Sequence, residues 1–216
     1  MGKTKAVQMK VVRKTSKKTG RSKKTFKKAV PEIKLAVLPG GKLPIRKTAG
    51  SIGFDVSSRA IVCPFKMDPD NPNLRKTLFD FKHHPKDPEV NRHVIRTKGE
   101  LVYRLYPGES VLVGIGFVTE MPFPMFYWVA PRSGLSSKYG ITVTNAPGTV
   151  DPDYRGEAGV LVYNRTKKSY DLRHGMRIAQ IVFQKAQIPK ITVVRKSKGL
   201  KKTARGAGGF GSTGLY

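Results

Sequence analysis

Hydrophobic residues in the body of the chain recur in short runs that alternate with polar residues and are separated by glycine and proline. A period of two over four to eight residues is typical of half-buried β-strands, and no long window shows the helical period. The pattern therefore predicts an all-β domain of the sandwich, barrel or jelly-roll type. Strands are predicted at 33–38, 52–57, 101–105, 110–119, 126–129, 141–144, 158–163, 177–183 and 191–194.

Residues 133–139 are the one stretch that favours a helix. We predict a single short helix there, with Ser133 as its N-cap, because a serine hydroxyl can accept a hydrogen bond from a free backbone N–H group of the first turn.

The segment 64–98 breaks the strand pattern. It carries five prolines and three of the four histidines, and we interpret it as a long surface insertion that is solvated by default, except that its apolar cluster 78–81 is expected to pack onto the core or a neighbouring subunit. A metal site is the alternative, but the spacing of the candidate ligands matches no tight ligand pattern. Those candidates are Cys63, Asp80, His83, His84, Asp87 and His93.

Basic residues give the chain a formal net charge of +28, and they are unevenly spread. Residues 1–30 hold twelve Lys and Arg and no acid. This tail is predicted to be disordered alone, because it has too little apolar surface to offset the entropy of ordering. It either solubilises or localises the chain, or it binds nucleic acid or another polyanion. The remaining 30 basic and 14 acidic residues favour a phosphate-bearing ligand, whether a phosphate ester or a nucleic acid.

Cys63 is the only cysteine, so an intrachain disulfide is excluded and a reducing compartment is expected. No apolar run is long enough to span a membrane, and the N-terminus lacks the apolar core of a secretory signal. The sequence therefore predicts an intracellular protein without a membrane partner. The tail suits a cytoplasmic or nuclear location, and a mitochondrial one is disfavoured because lysine outnumbers arginine in the tail.

A hairpin with an elaborated loop is predicted between the runs 141–144 and 158–163, because the residues between them are rich in glycine and proline. Asp151, Asp153 and Tyr154 lie at its tip. Loop N–H and C=O groups could pair there with the edge of a planar ligand, and a carboxylate could act as a base toward water. The alternative is an Asp-Pro-Asp turn that only joins two strands.

Four other stretches have the composition of phosphate or nucleotide contacts. They combine glycine turns with an acid, arginines, hydroxyls and free backbone N–H groups, and such N–H groups bind anions. Each has a plain alternative, since glycine-rich termini are usually flexible and an Arg-Ser pair usually lies on the surface. The stretches are 49–55 with Asp55, 131–140 with Arg132, 175–180 with Gln180 and 205–214 with Arg205.

In this order the five stretches resemble the five motifs of the trimeric dUTPase family. The likeness covers residues 33–216 apart from the segment 64–98, and the hairpin and the terminal R-G-A-G-G-F-G-S-T-G follow the family pattern nearly letter for letter. It implies a jelly-roll β domain over 31–204, a flexible arm over 205–216 and a homotrimer whose sites are shared between subunits. It also implies Mg²⁺-dependent hydrolysis of dUTP to dUMP and pyrophosphate, which limits uracil incorporation into DNA and supplies dUMP.

The resemblance assigns roles to residues of the hairpin and of the first motif. Asp151 matches the acid that orients and deprotonates the attacking water. Asn145 and the hairpin backbone, with Gly148, match the groups that read the uracil edge. Tyr154 matches the ring that packs under the deoxyribose and leaves no space for a 2′-hydroxyl. Asp55 resembles the acid that holds Mg²⁺ through water.

Phosphate contacts are implied for two further motifs. Arg132, Ser133 and Gly134 match residues that contact the α- and β-phosphates. Gln180 matches a further phosphate contact.

The terminal arm resembles a segment that closes over the bound nucleotide. Arg205 resembles a clamp on the γ-phosphate, and Phe210 resembles a ring that stacks over the uracil. The donors that close on the terminal phosphate correspond to Gly211, Ser212 and Thr213.

The chain departs from the family pattern in three ways. Met176 replaces an Asp that is usual in the fourth motif, the spacing between the first and second motifs is longer than usual, and the basic tail has no counterpart. Asp153 has no assigned role.

Two alternative functions are weighed against dUTP hydrolysis. A dCTP deaminase shares the fold, but Leu161 stands where those enzymes have a water-activating Glu. A nucleic-acid-binding or virion-associated protein of the same fold would use the tail, although the retained site residues argue against a dead site.

Deletion of residues 1–30 is expected to leave kcat for dUTP unchanged, because none of the five motifs lies there, and to weaken binding to DNA. The loss is expected to shrink as salt rises, since counterion release gives basic contacts their salt dependence. Fluorescence anisotropy of labelled DNA over a salt series measures it. Equal DNA affinity of the truncated chain would contradict a nucleic-acid role for the tail.

Overall fold

The computed structural model describes residues 30–209, and the chain divides into two units at residue 186. Within the described residues, the first unit carries fourteen β-strands and two short α-helices, and the second carries one 3₁₀ turn, Ser197–Gly199. No helix within 30–209 is long and apolar enough to cross a membrane. Residues 1–29 of the predicted tail and four predicted ligands lie outside the described residues, namely Phe210, Gly211, Ser212 and Thr213.

Short strands dominate the first unit, and the helices are brief. The strands are β1 Lys34–Val37, β2 Phe54–Ser57, β3 Ala60–Met67, β4 Arg75–Phe79, β5 Val94–Thr97, β6 Glu100–Leu105, β7 Ser110–Gly114, β8 Phe117–Glu120, β9 Met125–Ala130, β10 Ile141–Val143, β11 Gly148–Val150, β12 Gly159–Asn164, β13 Tyr170–Leu172 and β14 Arg177–Lys185. The helices are α1 Pro88–Asn91 and α2 Ser133–Tyr139.

All pairings between these strands are antiparallel. The two larger sheets have the orders β10-β12-β7-β3-β4 and β11-β9-β14-β2. A three-stranded sheet, β13-β6-β5, and the pair β1-β8 complete the unit. Both larger sheets contribute side chains to one hydrophobic core.

Strand β12 shows how the sequence pattern builds that core. Its residues alternate between half-buried and buried, so that Val160, Val162 and Asn164 face inward. The two valines join the hydrophobic cluster. Asn164 is fully buried, and its amide donates to Leu105 O at 3.1 Å and to Lys168 O at 2.7 Å, so the buried polar group is paired.

The predicted all-β class is confirmed, with two differences among the predicted strands. The run 110–119 forms two strands, β7 and β8, because Gly116 bends the chain with a φ of +70°. A Cβ on Gly116 would overlap Gly41, so these two glycines also permit a close backbone approach. The strand predicted at 191–194 is wrong, since these residues are exposed and irregular.

The predicted helix is confirmed as α2, but it is not the single helix expected, since α1 is a second one, and Ser133 is not its N-cap. Arg132 occupies the cap position and makes no capping hydrogen bond, because a guanidinium has only donors and cannot accept from the free N–H groups of the first turn. The helix ends at Gly140, whose left-handed φ of +63° lets its N–H reach the carbonyls of Leu135 and Ser136.

The segment 64–98 is not the solvated loop predicted from its prolines. It contains the end of β3, all of β4 and β5, and helix α1. Phe79, Phe81 and Val94 are buried in the core. The prolines hid the strands because most of them stand in turns between elements, while Pro88 opens α1, where a missing N–H breaks no helical hydrogen bond.

The histidines of this segment are spread over separate contacts. His83 Nδ1 lies 3.0 Å from Asp80 Oδ2, and His84 bonds an asparagine amide. His93 is buried and stacks on Tyr103 with ring centroids 4.8 Å apart. Burial also raises the pKa of the Tyr103 phenol to about 12. Within residues 30–209, no three His, Cys, Asp or Glu side chains are grouped as metal ligands.

A buried ion pair joins the start of β3 to the start of β12. Glu157 is fully buried and accepts from Arg59 Nε at 2.7 Å and from Arg59 Nη2 at 2.8 Å. The backbone N–H groups of Gly116 and Arg75 also donate to its oxygens, at 2.8 Å and 3.1 Å. Gly114 leaves room for the carboxylate, because a Cβ there would lie 2.5 Å from its Oε1. Four donors thus compensate the removal of Glu157 from water.

Replacing Arg59 with Met is expected to lower the free energy of unfolding by about 3–5 kcal/mol, because it leaves a buried carboxylate without its charged partner. Urea denaturation followed by circular dichroism measures the loss. Lys34→Met is the control, since it breaks a pair with Glu120 in which the side chains are 73% and 53% exposed. A comparable loss in both variants would contradict the structural weight given to the buried pair.

Candidate active site

The hairpin predicted from the sequence is present. β10 and β12 pair with Ile141 opposite Asn164, and their connecting loop sends β11 into the other large sheet beside β9. Gly148 opens β11, and a Cβ on it would lie 3.1 Å from Asn145 Nδ2. The missing side chain therefore lets the Asn145 amide lie beside the backbone polar groups of the strand.

Asp151 follows β11 directly and is exposed. Its backbone carbonyl accepts from Tyr154 N at 3.3 Å, whereas within residues 30–209 its carboxylate has no hydrogen bond or ion pair. A carboxylate without an internal partner keeps its lone pairs available for water. It faces a shallow depression that it lines together with Met121, Phe123, Pro152, Asp153 and Arg155.

Tyr154 is half-buried, and its hydroxyl is held from two sides. Arg75 Nη2 donates to Tyr154 Oη at 3.1 Å, and that hydroxyl donates to Glu157 O at 3.1 Å. A Cβ on Gly156 would lie 2.5 Å from the hydroxyl oxygen, so this ring position requires glycine there. The Tyr154 ring is therefore held in place three residues after Asp151.

A second set of predicted residues is gathered around Asp55. Arg132 Nε donates to Asp55 Oδ1 at 2.9 Å, and Arg177 Nη1 donates to Oδ2 at 2.7 Å. Arg132 Nη1 also donates to Arg177 O at 3.0 Å. Gln180 Nε2 donates to the carbonyl just before Arg132 at 2.9 Å. The exposed first residues of α2 lie next along the chain, Ser133 and Gly134.

The sheet β11-β9-β14-β2 sets the spacing of these residues. Gly148 lies opposite Val129 on β9, and Gln180 lies opposite both Ala130 on β9 and Asp55 on β2. Neighbouring strands are about 4.8 Å apart. Gly148, Gln180 and Asp55 therefore share one end of the sheet.

Asp151 lies at the other end of β11, three residues from Gly148, which is about 10 Å at the rise of a strand. The candidate site residues thus form two groups on one chain. We call Asp151 and Tyr154 the tip group, and Asp55, Arg132, Arg177 and Gln180 the arginine group. The depression beside Asp151 includes no member of the arginine group.

Comparison with known proteins identifies the family. A sequence model of the dUTPase family matches residues 100–214. The deoxyuridine 5′-triphosphate nucleotidohydrolase of Rhizobium meliloti is 50% identical over 187 residues, which cover 85% of this chain and 92% of the relative. This chain belongs to the dUTPase family. A relative of the same name from Rhizobium etli is 46% identical over 117 residues, or 54% of this chain and 73% of the relative.

Solved dUTPases share the fold of this family member. A dUTPase of Staphylococcus bacteriophage 80alpha with dUpNHpp superposes with a TM-score of 0.60 at 18% identity, covering 85% of this chain and 99% of the other. A dUTPase from phage phi11 of S. aureus, described with a structural Mg(II) ion, has a TM-score of 0.53 at 16% identity and covers 76% and 97%. The expected jelly-roll dUTPase fold is confirmed.

Asp55 does not fit a magnesium site built by this dUTPase chain alone. Both of its oxygens accept from guanidiniums, and its side chain is only 15% exposed. Residues 30–209 offer no group of three ligating acids, cysteines or histidines. Mg²⁺ takes an octahedral set of oxygens and retains several waters. A magnesium ion here would depend on the oxygens of a phosphate ligand and on water.

Met176 stands where dUTPases usually have an Asp. Its side chain packs half-buried against the core. Its N–H donates to Ser58 Oγ at 3.1 Å, and its carbonyl accepts from Ser58 N at 2.8 Å. The position is a packing site in this chain, and the charged contact of the segment is made by the next residue, Arg177.

Arg205 belongs to the second unit and is exposed. Its Nε donates to Gly208 O at 2.9 Å, and Gly206 N donates to Thr203 Oγ1 at 3.1 Å, which closes a small turn.

Sequence reasoning missed three residues of the site, Arg75, Arg177 and Glu157. Arg177 lies inside a motif stretch and was passed over for Gln180. Glu157 had a usable signal, since it is a lone acid two residues before the apolar strand β12. Arg75 had none, because its contact with Tyr154 spans 79 residues of sequence.

Proposed function

We propose that this chain hydrolyses dUTP to dUMP and pyrophosphate by direct attack of water on the α-phosphorus, with Asp151 as the general base. The observation that carries the proposal is the Asp151 carboxylate, which is exposed and free of internal partners within residues 30–209. Such a group can orient a water molecule and take its proton. The attacking oxygen then bonds to phosphorus as the bond to the leaving pyrophosphate breaks, and no covalent enzyme intermediate is needed.

Uracil is proposed to bind along the hairpin loop. The Asn145 amide and the backbone beside Gly148 supply donors and acceptors for the base edge. Such a slot rejects cytosine, because the wrong exocyclic group leaves buried polar groups unpaired.

The deoxyribose is proposed to pack on the Tyr154 ring. That ring is held through its hydroxyl, and a ring packed under the sugar would leave no room for a 2′-hydroxyl. Selection against UTP therefore follows from shape, and selection against dCTP from hydrogen bonding.

The triphosphate is proposed to bind the arginine group together with Ser133 and Gly134. Asp55 holds Arg132 and Arg177 in fixed positions, so little reorganisation is needed when negative charge arrives. These cations would stabilise the charge that develops on the departing pyrophosphate.

The active form is proposed to be a homotrimer. The arginine group lies at the end of the sheet that holds Gly148, whereas Asp151 lies at the far end of β11. The trimer implied by the family resemblance would let a second subunit place its tip group beside the arginine group of its neighbour. The arm would then close the site, with Arg205, Phe210, Gly211, Ser212 and Thr213 contacting the uracil and the terminal phosphate.

Mg²⁺ is proposed as the cofactor, held mainly by the triphosphate. The family resemblance assigns Asp55 to the ion through water, but both Asp55 oxygens are engaged by Arg132 and Arg177, so we propose that Asp55 orients these arginines instead. When bound, the ion neutralises charge on the phosphate oxygens. The arginine group supplies the charge stabilisation that this chain itself provides.

The two alternative functions are not favoured. Leu161 lies on β12 opposite Leu112, so no carboxylate occupies the position that a deaminase requires. A role limited to nucleic-acid or virion association is not favoured by the family match. We also propose that residues 1–30 bind nucleic acid in addition to the enzymatic activity. A cytoplasmic or nuclear location is proposed for the protein.

Purified protein with Mg²⁺ is expected to release pyrophosphate from dUTP and hardly any from dTTP, dCTP or UTP, as a coupled phosphate assay would show.

Asp151→Asn is expected to lower kcat by at least about 10³-fold while nucleotide binding by calorimetry stays nearly unchanged, because only the base is lost. Asp153→Asn is the matched control and should retain activity. Absence of dUTP turnover would refute the function, and an active Asp151→Asn protein would refute the base.

Asp55→Asn is expected to raise KM for dUTP about tenfold, because Arg132 and Arg177 lose the charge that orients them. The Mg²⁺ concentration for half-maximal activity should stay within about twofold, since the triphosphate is the main magnesium ligand. Asp171→Asn is the control, as it breaks a pair with Arg104 on another sheet. A higher magnesium requirement at unchanged KM would show that Asp55 serves the metal instead.

A further inference from the structure

The segment 64–98 reaches the loop that carries the tip group. Asn73 Nδ2 donates to Arg155 O at 2.8 Å, and Asn73 O accepts from Glu157 N at 2.7 Å. Arg75 N donates to the Glu157 carboxylate at 3.1 Å. Residues 73 and 75 of the segment 64–98 are therefore hydrogen-bonded to the chain immediately after Tyr154.

Arg75 makes the closest connection to Tyr154 itself. Its Nη2 donates to Tyr154 Oη at 3.1 Å, its Nε to Glu157 O at 3.0 Å and its Nη1 to Pro64 O at 2.9 Å. The same Glu157 carbonyl accepts from the Tyr154 hydroxyl at 3.1 Å. The planar guanidinium thus fixes the phenol and the phenol's own acceptor while a third nitrogen holds Pro64 O, and the single nitrogen of a lysine ammonium does not reproduce this rigid, three-nitrogen geometry.

We propose that Arg75 is a positioning residue that locks the Tyr154 ring and thereby sets the discrimination between deoxyribose and ribose. The inference rests on the proposed contact of Tyr154 with the sugar. Steric exclusion of the 2′-hydroxyl requires that the Tyr154 ring hold its position. A shift of less than 1 Å in a side chain that contacts the substrate changes which substrates the site can bind. Within residues 30–209, Arg75 makes no hydrogen bond to Asp151, so we expect it to act on selectivity rather than on proton transfer.

The competing explanation is that Arg75 only stabilises the fold. Its contacts with Pro64 and with Glu157 would remain important in that case. A structural role predicts that losses fall equally on dUTP and UTP, whereas the positioning role predicts that the ratio of the two changes.

The experiment is a double-mutant cycle in the full chain, with Arg75→Gln, Tyr154→Phe and the combined variant. The readout is the ratio of kcat/KM for dUTP to kcat/KM for UTP. Arg75→Gln is expected to lower this ratio about tenfold, with kcat for dUTP within about threefold of the parent protein. Tyr154→Phe should lower the ratio similarly, and the combined variant no further, because both changes break the same contact. Arg75→Lys should restore only part of the selectivity.

Arg96→Gln is the matched control, since Arg96 lies in the same segment, is exposed and donates only to Gly99 O at 2.9 Å. Its ratio should equal that of the parent protein. Urea unfolding of the parent protein, the two single variants and the combined variant measures the coupling free energy between Arg75 and Tyr154 in the absence of nucleotide.

An unchanged ratio in Arg75→Gln overturns the inference, and so do independent, multiplicative effects of the two single changes. Coupling in urea unfolding without a change of ratio assigns Arg75 to the fold alone. Failure of the parent protein to hydrolyse dUTP is a different outcome, because it removes the proposed function before any variant is compared.

Discussion

The buried carboxylate of Glu157 is the constraint on which the active-site loop depends. Taking a carboxylate out of water is unfavourable by several kcal/mol unless its oxygens are paired. Four donors pair them here, from Arg59 and from the backbone of Gly116 and Arg75. These donors come from the start of β3, the bend between β7 and β8, and β4, so the pair forms only when three parts of the chain are in register. The position of Tyr154, three residues earlier, follows from that register.

The site combines fixed side chains with one free carboxylate. Asp55 holds two arginines on one end of a sheet, and Tyr154 is held through its hydroxyl. Asp151 lies on the short stretch between strand β11 and the anchored Glu157, and within residues 30–209 its carboxylate is free. A carboxylate with unengaged oxygens can orient water without being neutralised by a partner, which is what the proposed role of Asp151 as a base requires.

The alternation of hydrophobic and polar residues, together with the glycines and prolines that separate the runs, predicted most of the strands. The sequence also predicted helix α2 with its bounds. These predictions failed where those signals conflict with tertiary context. The end of β3 and the strands β4 and β5 were hidden because the segment 64–98 is rich in proline, although Phe79 and Phe81 belong to the core. β11 has three residues, too few to show a period of two. The run 191–194 has the composition of a strand but is exposed and irregular.

By itself the sequence determined the all-β class, the order of the five motifs and the residue types of the candidate site, because composition and short-range period are local properties. Only the tertiary structure decided which side chains pair. Arg59 meets Glu157 across 98 residues, Arg75 meets Tyr154 across 79, and Asp55 meets Arg132 and Arg177 across 77 and 122. Such pairs depend on strand register, and a slip of one residue turns every side chain of a strand to the other face.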